Sequence, residues 1–351
     1  MDKCNHVVGA KIVTTQVQAT NSTERGHAGR SMAPAPRGRV ILAFASVYLI
    51  WGSTYLAIRI AIETLPPFLM AGTRFLVAGF MLYLVVRMRT AEGLTRVHWR
   101  STAIVGALLF LGGNGALVMG EERVPSGLAA LLLSIIPLWM VLLGSTEHKG
   151  VKLGPRVFAG LVLGLAGIAL LVGPSELLGH GQVDPIGAAI LLVGSLSWAG
   201  GSVYSRRAAL PKSTLLAASM EMLAGGALLI AAGLALGEGH SLDMTNVSLR
   251  SALGLVYLIT FGSLLGFTSY NWLLTHSTPA RVSTYGYVNP VVAVFLGWIV
   301  AGEPVTLRTV LATAVVVSAV ALIITHRARP AKVEEAKALA EEEAPSIVPF
   351  D

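Results

Sequence analysis

IWGSTYLAIRIAIETLPPFLMAGTRFLVAGF, residues 50–80, carries the end of one apolar run and most of the next, separated by a break that holds Glu63, Pro66 and Pro67. Its features recur further along. Trp51 has a counterpart 147 residues on, Trp198 in LSWAGGSVYSR (196–206), and Arg59 has Arg206 at the same interval. Arg74 and Glu221, the latter in ASMEMLAGGA (218–227), are also 147 apart, while Pro137 and Pro290, like Gly144 and Gly297, differ by 153. The chain therefore repeats itself. Apolar runs fall at about 40–61, 67–86, 101–119, 125–144, 155–172, 185–204, 214–236, 251–273, 280–300 and 307–325. A spanning helix needs about 20 apolar residues, so these are ten candidate spans, five per copy. Five is odd, so the second copy enters the membrane from the opposite side. The expected fold is an all-α membrane protein of ten transmembrane helices in two inverted five-helix repeats, an architecture used by transporters, with substrate near the midplane.

Composition agrees. The 351 residues are 54% hydrophobic and 13% charged, and the mean hydropathy is +0.69. A soluble domain carries about 25% charged residues, so a water-soluble body of this size is excluded. The single cysteine, Cys4, rules out an intrachain disulfide framework and a cysteine zinc site. The net charge of +7 is explained by position rather than by nucleic acid. Lys and Arg are retained on the cytoplasmic side of short loops. With the N-terminus inside, 21 of the 26 basic residues fall in cytoplasmic segments; Arg59, Arg74, Arg123, Arg250 and Arg308 are the exceptions. The expected organisation is a disordered cytoplasmic N-tail (1–38), a first repeat (39–172), a second repeat (184–326) and an acidic cytoplasmic C-tail (327–351). Met32, shortly before the first apolar run, is an alternative start.

Gly- or Pro-interrupted helices that correspond across inverted repeats mark binding sites. Here they are spans 1 and 6, with Gly52 and Gly200-Gly201 beside the tryptophans, and spans 4 and 9, with Pro137 and Pro290. For any one residue, close packing is the commoner explanation; pairing across the repeat favours a shared site.

IWGSTYLAIRIAIETLPPFLMAGTRFLVAG, GGNGALVMGEERVPSGLAALLLSIIP, GSLSWAGGSVYSRRAALP and TPARVSTYGYVNPVVAVFLGWIVAGEPV together resemble the EamA-type branch of the drug/metabolite transporter superfamily, most closely its YedA-like members. The resemblance covers about residues 39–326. It implies two EamA repeats, a bacterial inner-membrane location and export of small metabolites or amino acids.

Ionisable groups at membrane depth are costly, so each is a functional candidate. Glu221 has two readings: a proton-coupling carboxylate, or a fixed ion pair with Arg74. The ion pair is favoured, because arginine stays charged and would hold its partner ionised. Arg59 and Arg206, near helix ends, can snorkel; Glu63, Glu121, Glu122 and Arg123 sit at outer ends, where gating is one reading and solvated charge the favoured one. The uncharged cavity candidates are Trp51, Ser53, Asn114, Ser134, Trp198, Ser202, Tyr270, Asn271, Tyr285, Tyr287 and Asn289, with Pro137 and Pro290 at the helix interruptions. Serines in membrane helices mostly bond their own neighbours, whereas Asn114 and Asn289 bring amides that hydrocarbon cannot satisfy.

The expected function is a secondary carrier for a small solute, with lipid as its surroundings and a proton as the candidate driving ion. Neither metal nor cofactor is expected, and the oligomeric state is open. The alternatives are a passive channel and, further off, a membrane-embedded enzyme. The eight histidines and four aspartates lie in loops, tails or span edges, and neither H-E-x-x-H nor a Walker motif occurs.

Overall fold

The structure is a computed structural model that describes residues 36–147, 155–172, 184–277 and 285–325. The chain divides into two units after Arg39, and the helical body is the second, from Val40 onward. The two expected tails and Met32 lie outside the described residues, apart from 36–38. Among the described residues there are helices and turns and no strand.

Ten apolar helical stretches among the described residues coincide with the apolar runs: α1 (Arg37–Ala61), α2 (Pro67–Arg87), α3 (Arg96–Glu121), α4 in two parts (Ser126–Leu133 and Ile136–Glu147), α5 (Pro155–Val172), α6 (Pro185–Ser205), α7 (Thr214–Ala235), α8 in three parts (Leu249–Tyr257, Leu258–Leu265 and Gly266–His276), α9 (Tyr285–Ala301) and α10 (Leu307–Thr325). A one-turn helix, Glu238–Ser241, comes after α7. Six of these described stretches are long and apolar enough to cross a membrane: α1, α2, α3, α6, α7 and Leu249–Tyr270 of α8. Shorter apolar helices cover Ser126–Met140, Val288–Ala301 and Leu307–Ala319.

Local chemistry sets the helix ends. α2 and α6 begin with proline, whose missing N–H costs nothing there, and the Asp184 side chain accepts from Gly187 N at 2.8 Å. Ser213 and Ser248 cap α7 and α8 in the same way. In α4 the helix gives way between Leu133 and Ile136. Pro137 explains this, because it has no N–H for the Leu133 carbonyl and its ring would collide with that group.

Glycines record how the helices pack. A Cβ on Gly79 would meet Met222, one on Gly72 Ile230, and one on Gly226 the backbone of Leu76, so α2 and α7 run antiparallel in close contact. α5 and α10 meet likewise at Gly167 and Val316, and α4 and α9 at Gly127 and Val294. α1 packs on α8, with Ala61 at Gly254 and Trp51 at Gly266; α3 packs on α6, with Gly113 at Trp198 and Gly120 at Leu191.

The interior is apolar, built around Phe75, Phe110, Leu131, Met222 and Leu258. The outward faces are apolar too: Leu42, Val193, Leu253 and Ile299 are all largely exposed. Helices hydrophobic on every side belong in a bilayer.

Two stretches depart from α geometry. Ala107–Asn114 in α3 and Leu258–Leu265 in α8 are π-helical, eight residues each, and lie 151 residues apart. Such stretches inside α-helices are uncommon and concentrate at functional sites.

Candidate functional site

The two π segments gather the interior polar and aromatic side chains. On α8, Gly262 has no side chain, and three groups converge there. Trp51 Nε1 donates to Gly262 O at 3.2 Å, and a Cβ on Gly262 would lie 3.1 Å from both Arg74 Nη2 and Thr54 Cγ2. One residue on, Ser263 Oγ accepts from Arg74 Nε at 3.0 Å. On α3, Ser197 Oγ donates to Leu108 O at 2.8 Å, and Trp198 packs where Gly113 leaves room. Each π segment thus receives the tryptophan-bearing part of another helix: α1 on α8, α6 on α3.

Aromatic rings connect the two tryptophans. Trp51 lies 5.4 Å from Phe267, Phe267 lies 6.4 Å from Phe110, and Phe110 lies 6.4 Å from Trp198. Tyr270 and Tyr285 close the other side of Trp51, at 5.1 and 5.3 Å, and are 5.8 Å from each other. Edge-on and tilted geometries of this kind are the favourable ones for aromatic pairs. Trp51, Trp198, Tyr270 and Tyr285 therefore belong to one ring system.

The remaining candidates divide. Ser134 Oγ donates to Leu131 O, and Ser202 Oγ to Trp198 O, so both hydroxyls are satisfied by their own helices. Ser53 does this with Ile50 O but also lies 2.6 Å from the Tyr257 hydroxyl on α8. Asn114, buried at the end of the α3 π segment, reaches Leu109 O with Nδ2 at 3.4 Å. Asn289 is buried and its Oδ1 has no hydrogen-bond partner among the described residues. Pro290 is buried beside it, Pro137 is half-buried, and the side chains of Asn271 and Tyr287 lie outside the described residues.

The favoured ion pair of Arg74 with Glu221 does not form. Ion pairs do form elsewhere, as at Arg123–Asp184 and Arg250–Glu63, whereas Arg74 is held by Ser263 and by the adjacent Phe75 ring. The α2–α7 register explains it. Gly226 faces the turn Gly72–Leu76, which puts Arg74 level with Gly226. Glu221 lies five residues away along α7, about 7.5 Å at 1.5 Å per residue.

Glu121 also departs from expectation. Its side chain is fully buried, not in solvent, and neither carboxylate oxygen has a hydrogen-bond partner among the described residues. The Arg59 guanidinium, drawn inward, donates to the Glu121 main-chain oxygen. Tyr55, Arg74 and Glu303 are the other ionisable groups near enough to act on this carboxylate. Beyond the helix end, Glu122 is pushed up from its ordinary carboxyl value by partial burial and then by the charge of Glu238. Tyr55, Phe110 and Phe267 carry no signal in the sequence, where they read as ordinary apolar filling. Among the described residues no cluster of His, Cys, Asp and Glu could hold a metal.

The EamA-like transporter family matches residues 38–173 and again 185–325. The "Uncharacterized inner membrane transporter YedA" of Escherichia coli (strain K12) is 39% identical over 283 residues, covering 80% of this chain and 89% of that protein. The "Probable amino-acid metabolite efflux pump" of Salmonella typhimurium (strain LT2) is 26% identical over 74% of this chain and 86% of its own length. A crystal structure with 22% identity matches at a TM-score of 0.56, over 83% of this chain and 98% of that one; at that identity the likeness concerns the fold alone.

Proposed function

Because the chain belongs to the EamA-like transporter family, we propose that it is an inner-membrane secondary carrier exporting small metabolites or amino acids by alternating access. One observation carries the reading. The two π segments lie at equivalent places 151 residues apart, and each meets the tryptophan-bearing part of a helix. A π segment holds one residue more per turn than its flanks need, so a one-residue shift in register can convert it. Two such segments at corresponding places give each half a joint on which to rock.

Ten spans in two inverted repeats, 39–172 and 184–326, with both tails cytoplasmic, complete the proposal. The packing supports it: α2 meets α7, α4 meets α9 and α5 meets α10, while α1–α8 is matched by α6–α3. These are the pairings that a two-fold exchange of helix n with helix n+5 would produce. The ring system from Tyr285 to Trp198 suits a solute with an apolar portion, and the "amino-acid metabolite efflux pump" relative points to the same class.

Proteoliposomes loaded with amino acids and related metabolites test this directly. A carrier shows saturable efflux and counterflow, in which unlabelled solute on one side drives labelled solute across. Flux without counterflow identifies a channel; no protein-dependent flux across the panel overturns transport of this solute class.

A further inference from the structure

Three buried side-chain atoms among the described residues have no hydrogen-bond partner: Glu121 Oε1, Glu121 Oε2 and Asn289 Oδ1. All are acceptors, so what the interior lacks is a donor. Two belong to one carboxylate, and that carboxylate has no exposure at all. Other carboxylates near the ends of the bundle are fully engaged. Glu303 accepts from Ser126 N, Ser126 Oγ and Gly127 N, and Glu238 accepts from Phe68 N and Leu69 N. These two half-buried acids have their donors, whereas Glu121, the one fully buried acid among the described residues, has none.

The ionisable groups facing Glu121 are Tyr55 and Arg59 from α1, Arg74 from α2 and Glu303 from the turn after α9. α6 packs Leu191 against the preceding residue, Gly120, and Asp184, which caps α6, pairs with Arg123 beyond the helix end. Neither arginine hydrogen-bonds the carboxylate. Arg59 binds the main-chain oxygen of Glu121, and Arg74 Nε binds Ser263 Oγ in the α8 π segment. Leaving an ionised group buried without hydrogen bonds costs several kcal/mol, and an acid can avoid that cost by taking a proton.

We propose that Glu121 binds the proton that drives the carrier, an assignment that rests on the carrier reading above and supplies its coupling ion. The proton adds to a carboxylate oxygen from the side on which the Glu121 end of the bundle opens, and crosses on the neutral acid while that end is closed. Arg74 supplies the release. Its anchor, Ser263, sits in a π segment, so a register shift there moves a guanidinium whose positive charge favours the ionised carboxylate, and the proton leaves to the opposite side. Glu221, which keeps some exposure where Glu121 has none, is the control for this assignment.

Two measurements on the full-length protein in lipid decide it. In pH-difference infrared spectra the wild type should show a protonated-carboxyl stretch that Glu121→Gln lacks and Glu221→Gln keeps. In proteoliposomes Glu121→Gln should lose the response of efflux to a proton gradient while retaining solute counterflow, which needs no net proton movement. A band that survives in Glu121→Gln, or flux in that variant that still follows the gradient, overturns the proposal. If Glu121→Gln fails to accumulate, Glu121→Asp takes its place: the band must persist at a shifted frequency, and an unshifted band overturns the assignment. A wild type with the band but no flux for any solute sinks the carrier reading instead, so the two failures are told apart.

Discussion

Glu92 and Glu238 do the same work at opposite ends of the α2–α7 pair. Glu92, just after α2, accepts from Lys212 N at 2.7 Å and Ser213 N at 3.3 Å, at the entry to α7. Glu238, just after α7, accepts from Phe68 N at 3.1 Å and Leu69 N at 2.9 Å, in the first turn of α2. A helix N-terminus presents unbonded amides and the positive end of the dipole, so a carboxylate there satisfies both. Because the helices are antiparallel, each is capped from the loop at the far end of the other. Glu303 treats α4 likewise.

Glu238→Ala is expected to lower stability by about 1–2 kcal/mol, the usual range for losing a charged cap. A fall in apparent Tm of the detergent-purified protein would register it. Glu303→Ala should fall further, because three hydrogen bonds are lost there. An unchanged Tm in both variants would show that the caps are dispensable.

Glu92 makes a pH-dependent contribution. The Lys212 N–H bond, helped by Ser213 N–H and by the charges of His98 and Lys212, holds its carboxyl below the ordinary value. A group whose folded value is depressed stabilises above its unfolded value, about 4.3, and that stabilisation is lost as pH falls through the folded value. Apparent Tm should therefore drop as the buffer is taken below about pH 4, and Glu92→Gln should show a smaller drop. Equal losses in the two proteins would remove Glu92 from the account.

Much of this is legible in the sequence because it depends on composition along one helix. The apolar runs locate the helices, and the 147-residue echo of Trp51 in Trp198 points to two members of what proves to be one ring system. What cannot be read depends on register between helices. Arg74 and Glu221 are repeat mates, yet the antiparallel packing of α2 on α7 sets them about 7.5 Å apart along the axis. Glu121 reads as a solvated end residue because the sequence does not show that Arg59 is drawn onto its main chain and that its side chain is shut off from solvent. The π segments have no signature beyond Gly112, Gly113 and Gly262, since an extra residue in a turn is fixed by what packs against it.

Two adjacent glycines in α6 should behave oppositely. A Cβ on Gly200 meets nothing within 4 Å, whereas one on Gly201 would lie 2.9 Å from Leu108 Cβ and Leu109 Cδ2 in the α3 π segment. Gly200→Ala is expected to be neutral or to stabilise by up to about 1 kcal/mol through helix propensity. Gly201→Ala should cost about 1–3 kcal/mol by overpacking, with reduced flux because the joint is jammed. Similar Tm values for the two variants would contradict this packing.

Sidedness is open to a direct check. With Cys4 replaced by serine, Gly93→Cys lies in the turn after α2, where a Cβ has open space, and Met244→Cys lies in the loop after α7, at a position 74% exposed. In intact cells an impermeant maleimide should label position 244 and spare position 93 until the membrane is opened. Labelling of both from outside, or of 93 alone, would reverse or void the inside placement of the N-terminus.

Asn289 separates a cavity group from a structural one. Its Oδ1 is buried without a partner among the described residues, so the side chain bears a desolvation cost that the folded protein does not recover. Such an orphan costs about 1–3 kcal/mol, and Asn289→Leu should therefore leave apparent Tm unchanged or raise it. If the amide exists to meet a solute donor, the same substitution should cut flux sharply, with the loss appearing as weaker apparent affinity rather than lower protein abundance. A variant that is both stable and fully active would place Asn289 outside the transport path; one that is destabilised would mean the amide has a structural partner after all.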